Sequence, residues 1–143
     1  MCKKVSVNYF EILDLPYTFF IDSILDTKYY ELQRKFHPDQ KNGGKVEQIN
    51  TAYKILKDIW SRTSHILKIE KIIIDDIPIS EEVMKIYDQP VQDINQRLQC
   101  LHSDLANIFH MYYQNNTSIH EVANIWILRS YMLRYVSYNE ANN

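Results

Sequence analysis

Glycine is nearly missing from this 143-residue chain: there are two, side by side at Gly43-Gly44. Proline is scarce too, with four. All-β proteins turn their many corners with these residues, so the shortage argues against a sheet protein. Cysteine is limited to Cys2 and Cys100, which supply neither a disulfide framework nor a CxxC metal pair. No apolar run approaches the roughly 20 residues needed to span a bilayer, and Met1-Cys-Lys-Lys-Val lacks the apolar stretch of a signal peptide. These absences predict a soluble, cytoplasmic protein in a reducing compartment, without a membrane partner. Lys and Arg number 16 against 18 Asp and Glu, a net charge of -2. The basic footprint of a nucleic-acid binder is therefore missing. The five histidines, at 37, 65, 102, 110 and 120, form no HExxH-like pair, and His102 and His110 lack the i,i+4 spacing that shares one metal. With no phosphate loop and no nucleophile motif either, the chain is not expected to be an enzyme.

What is present favours helices. Hydrophobic residues make up 45% and charged residues 24%, enough for one compact domain or two small ones. Tyrosine is unusually common, at 11. Several tyrosines fall on helical apolar positions, where a ring is buried and its hydroxyl stays near water. Charge is unevenly spread. Residues 1–75 carry 12 Lys/Arg and 10 Asp/Glu, and residues 76–143 carry 4 and 8, a split that suits two segments with different partners.

Asn8 is a candidate cap for a short helix, with Glu11 at the capping-box position and Pro16 limiting its length. Asp22 is the next candidate cap. Leu25, Tyr29, Leu32 and Phe36 then recur at helical spacing, with Lys28, Glu31, Arg34 and Lys35 on the opposite face. Pro38 stops this helix inside the tripeptide His37-Pro38-Asp39. Lys41 to Gly44 read as a loop, with the backbone freedom of the two glycines reserved for it. A second helix is predicted over 47–60, its face marked by Val46, Ile49, Ala52, Tyr53, Leu56, Ile59 and Trp60. The two should pack as an antiparallel hairpin with the tripeptide at its tip.

A further helical stretch is predicted over 61–71. Residues 72–78 read as a linker whose Ile72-Ile73-Ile74 run forms either a short strand or, preferably, an extended connection docked on a helix. Ser80 caps a helix with acidic Glu81-Glu82 in its first turn, and Pro90 interrupts it. Val91, Ile94, Leu98, Leu101, Leu105, Ile108 and Tyr112 form a bundle seam. Asn115-Asn116 breaks it. Ser118, with Glu121 three residues on, opens the last helix, whose expected core face is Ile119, Val122, Trp126, Leu133 and Val136. The expected fold class is all-α: a helical-hairpin domain over 1–74, then a three-helix bundle over 75–143.

Three segments carry a resemblance: Asn8-Tyr-Phe-Glu-Ile-Leu-Asp-Leu-Pro16, Leu32-Gln-Arg-Lys-Phe-His-Pro-Asp39 and Ile49-Asn-Thr-Ala-Tyr-Lys-Ile-Leu-Lys-Asp58. Together they resemble a J-domain. With the helical segment that follows, the chain is similar to the HscB family, J-type co-chaperones of iron–sulfur cluster assembly. The resemblance implies docking on a DnaK-type chaperone ATPase (HscA-like), stimulation of its hydrolysis, and delivery of an iron–sulfur scaffold protein (IscU-like) held by the C-terminal bundle. It implies no cofactor. The chaperone-binding residues would be Lys28, Arg34, Lys35, His37, Pro38, Asp39 and Lys41. Pro38 would stiffen the tip and His37 orient it. Asp39 would offer a carboxylate to an arginine, and the cations would steer the tip towards an acidic partner. The scaffold-binding residues would be Val83, Met84, Tyr87 and Asp88, with Ser130 or Tyr131 on the last helix. Where the family has an Arg-Glu-Glu run, this chain has Pro90, Val91 and Gln92, and the loop after Asp39 is shorter than is usual. An adaptor for a different client is the alternative reading.

Overall fold

Local polar chemistry sets most of the helix boundaries. In the computed structural model, which describes residues 7–36 and 43–142, Asn8 Oδ1 accepts the Phe10 N–H at 3.0 Å and starts α1 (Tyr9–Ile12). The chain then forms α2 (Asp22–Lys35), α3 (Gly43–Lys57) and α4 (Ile59–Ile69). After a 3-10 turn at Ile74–Asp76 come α5 (Glu81–Met84), a second 3-10 turn at Lys85–Asp88, α6 (Val91–Tyr113) and α7 (Ile119–Ala141). No strand occurs among the described residues. Two compact units divide the chain, one ending at Glu70 and the next starting at Lys71.

Several boundaries differ from the sequence-based expectation. The predicted helix over 47–60 breaks at Asp58, whose carboxylate accepts from the Ser61 N–H at 2.9 Å and caps α4, so Ile59 and Trp60 belong to the following helix. Asp22 does not cap α2. It lies in the first turn, and its carboxylate is drawn instead to Arg62, 2.8 Å away. Ser118 precedes α7 without a side-chain cap bond; the Glu121 N–H is taken by the Ser118 backbone carbonyl at 3.1 Å. Ser80 does cap α5, accepting from the Val83 N–H at 3.3 Å. Pro90 opens α6: its carbonyl accepts from Asp93 and Ile94, and its missing N–H costs nothing at that end of a helix. The triple-isoleucine run forms no strand, because Ile74 already starts a 3-10 turn, and Ile73 is exposed.

The glycines are used differently from the expectation. Gly43 and Gly44 form the first turn of α3, and no described glycine has positive φ. The left-handed positions are taken by Asp14, Lys71 and Asn115, at φ 52°, 61° and 61°. Each follows the last residues of a helix. After α6, Asn115 N–H donates to Tyr112 O and Asn116 N–H to Met111 O. This is the Schellman closure that glycine usually provides. Asp14 and Leu15 close α1 the same way, donating to Glu11 O and Phe10 O.

The first unit packs Phe10, Leu13, Phe19, Ile21 and Leu25 against Ile49, Ala52, Leu56, Ile66 and Leu67, all buried. The second unit pairs α6 with α7. Ile94, Leu101, Leu105 and Phe109 face Val122, Ala123, Ile127, Leu128, Met132 and Val136. The third arm of the bundle is only α5 with its 3-10 turn, which packs on α7 and buries Val83 and Ile86.

Candidate functional site

The hairpin of α2 and α3 is held at mid-length by polar aromatic contacts. Tyr29 and Tyr53 stack with centroids 3.8 Å apart and ring planes within 11°. Tyr29 OH donates to Asn50 Oδ1 at 2.9 Å, and Tyr53 OH donates to Asp26 Oδ1 at 2.7 Å. Gln33 Nε2 adds bonds to both Tyr29 OH and Asn50 Oδ1. The tyrosine excess is thus partly spent on hydroxyls that bond from one helix to the other, where the sequence suggested only contact with water.

The base of the hairpin is locked by Arg62, which is fully buried. Its Nε donates to Leu56 O at 2.7 Å, Nη1 to Phe19 O at 2.8 Å and Nη2 to Asp22 Oδ1 at 2.8 Å. The guanidinium also lies over the Phe19 ring, 5.3 Å from its centroid. One side chain therefore ties the end of α3, the approach to α2 and the start of α2 together. Arg62 is absent from the sequence-based set. Its only signal is position: it falls on the helical stripe Ile59, Arg62, Ile66, Ile69.

At the far end of the hairpin, Arg34 and Lys35 are exposed on the last turn of α2. The Lys35 and Lys45 ammonium groups both lie over the half-buried Phe36 ring, at 5.4 and 5.5 Å. Lys45, from the first turn of α3, adds a cation that the sequence-based set lacks. Lys28 is less free, held 3.5 Å from Asp14 and 3.9 Å from Glu31. His37, Pro38, Asp39 and Lys41 lie outside the described residues; the structure describes their flanks, Phe36 and Gly43.

In the second unit, the residues expected to bind a scaffold separate by burial. Val83 is 2% exposed and belongs to the core. Met84 is 61% and Tyr87 57% exposed, and Asp88 is exposed beside them. Tyr87 meets the edge of Tyr135 at 5.6 Å, and Tyr135 OH donates to Gln89 O at 2.7 Å. The α7 aromatic brought against the short arm is therefore Tyr135, one turn beyond Tyr131. Tyr131 is half-buried with the Arg134 guanidinium 5.2 Å from its ring. Ser130 spends its hydroxyl on the Trp126 carbonyl at 3.2 Å. Arg97 on α6 braces the arm from another side, bonding Asp104 and Glu82 at 2.5 and 3.4 Å. No group of metal-ligating side chains and no helix long and apolar enough to cross a membrane occurs among the described residues.

Comparison with known proteins fits this geometry. No family model matches the chain. The co-chaperone protein HscB homologue of Vibrio parahaemolyticus is 40% identical over a 72-residue alignment that covers 43% of this chain and 42% of that protein. That of Photobacterium profundum is 38% identical over the same shares. The match thus spans less than half the length of these curated relatives. Among solved structures, human co-chaperone HscB is superposed with a TM-score of 0.65 at 21% identity, covering 99% of this chain and 83% of the other. Chaperone HscB from Vibrio cholerae gives 0.60 at 21% identity, covering 94% and 96%. Fold and hairpin define the class: this is an all-α protein with a J-domain followed by a helical C-terminal domain. Within that class, its relatives in sequence and its neighbours in structure are HscB co-chaperones.

Proposed function

We propose that this chain is a non-enzymatic co-chaperone of iron–sulfur cluster assembly. Its first unit docks on a DnaK-type chaperone ATPase, HscA-like, and His37-Pro38-Asp39 stimulates ATP hydrolysis there. Its second unit carries an IscU-like scaffold protein to that chaperone. The observation that carries the reading is the pairing of HscB relatives in sequence with an HscB-type fold over 99% of the chain.

The chemistry supports it. A co-chaperone of this kind performs no bond-making step. It biases its partner's conformational equilibrium, which requires stronger binding to one of the partner's states. Arg34, Lys35 and Lys45 flank the tripeptide with positive charge on a braced hairpin, suited to steering towards an acidic surface. On the second unit, exposed Met84 and Tyr87 give an adaptable apolar patch beside Asp88, with Tyr131 and Tyr135 on the neighbouring helix. Val83 supports this patch from the core. Replacement of the family's Arg-Glu-Glu run by Pro90-Val91-Gln92 favours one second reading, an adaptor for a different client.

Met84→Ala combined with Tyr87→Ala changes exposed side chains and should leave the fold intact. Scaffold affinity, measured by calorimetry, should fall about tenfold or more, the loss of roughly 1.4 kcal/mol. Unchanged affinity would show that the patch is not the scaffold site and would favour the second reading.

A further inference from the structure

His65 is the one buried imidazole among the described residues, and the hairpin mechanism does not use it. It projects from α4 to the start of α1, where its Nε2 accepts the Tyr9 backbone N–H at 3.0 Å. That N–H belongs to the first turn of a helix and has no partner within the helix. Tyr9 and Phe10 cover the ring, with centroids at 4.7 and 5.9 Å. An imidazole that accepts at Nε2 must be neutral, with its proton on Nδ1.

We propose that His65 is a pH-sensitive latch: protonation of its Nε2 releases the start of α1 from α4 while the α2–α3 hairpin stays closed. Protonation turns the acceptor into a donor facing another donor, so the bond to Tyr9 is lost and a charge is left under two rings. The neighbouring elements offer little to offset that charge. Lys68 on α4 repels it, α1 contributes the neutral Tyr9 and Phe10 rings, and no described carboxylate of α1, α3 or α4 lies within ion-pair distance. Burial first, and then Lys68, hold the His65 pKa below its ordinary 6.5. The latch is therefore fully closed above pH 6.5 and weakens as the pH falls below it, towards the lower folded-state value. The hairpin is spared because its braces, the Tyr29–Tyr53 stack and the Arg62 bonds to Leu56 O and Phe19 O, do not involve the His65 ring.

Amide hydrogen exchange of the full chain, followed by NMR between pH 7.5 and 5, tests the latch. After correction for intrinsic exchange, Tyr9 protection should fall by up to about tenfold per pH unit below 6.5, levelling off below the folded ring's midpoint. Protection of Ile49, Ala52 and Leu56 amides in α3 should hold. His65→Gln, whose side-chain carbonyl can accept from Tyr9 without titrating, should remove the pH dependence at Tyr9. The wild-type ring titration provides a readout that needs no variant. A His65 pKa at or above 6.5, or Tyr9 protection unaffected by acid, would overturn the proposal.

Discussion

Arg62 shows how much one side chain can do when its partners are backbone atoms. Leu56 O and Phe19 O are acceptors in a region closed to water, and Arg62 satisfies both. Losing the guanidinium would strip Leu56 O of this bond, at about 1–3 kcal/mol, and leave Phe19 O with the Ile21 N–H at 3.1 Å. The ion pair to Asp22 is a smaller matter, because the Asp22 side chain is 70% exposed and water can replace its partner. Arg62→Leu should therefore cost about 2 kcal/mol or more of the first unit's stability, and Asp22→Asn less than about 1 kcal/mol. Urea unfolding of the two variants measures both, and equal costs would mean that the ion pair, not the carbonyl bonds, is what counts. This clamp was hard to read from the sequence because its carbonyl partners lie 6 and 43 residues away and carry no residue-type signal. The exposed candidates were easier. Arg34, Lys35, Met84, Tyr87 and Asp88 lie at the surface, whereas Val83, alike in chemistry, is buried by α7.

Elements were legible where a side chain makes the decision and less so where the backbone does. Asn8 and Ser80 cap as their residue types suggest, and Pro16, Pro90 and Asn115-Asn116 delimit helices. The glycine pair misled, since scarcity suggested a strained turn and the structure makes them helical. Gly44 meets no atom within 4 Å of an added Cβ. Gly44→Ala should thus stabilise the first unit by about 0.5 kcal/mol through the unfolded chain's entropy. Lys71, at φ 61°, has the opposite need, and Lys71→Gly should add about 0.5–1 kcal/mol. Thermal unfolding that shows losses at both positions would contradict this backbone argument. The seam of α6 was found nearly in register, with Phe109 the omission. The core face of α7 was found only in part: Val122 and Val136 are buried as expected, but Leu133 is exposed, and the buried Ile127, Leu128 and Met132 were missed. Apolar residues stand on several sides of that helix, so spacing alone could not select the face that meets α6.

At the scale of the molecule, the all-α class and the J-type hairpin were readable because three motifs and the helical periodicity agree. The division of labour between the units is the central claim, and it requires that the two halves act on one partner together. An ATPase assay with a DnaK-type chaperone, with and without an iron–sulfur scaffold protein, examines it most directly. The account predicts that this chain raises the hydrolysis rate alone, that it and the scaffold together exceed the sum of their separate effects, and that Asp39→Asn abolishes the stimulation with the fold intact. Full stimulation by Asp39→Asn, or a rate indifferent to the scaffold, would contradict it.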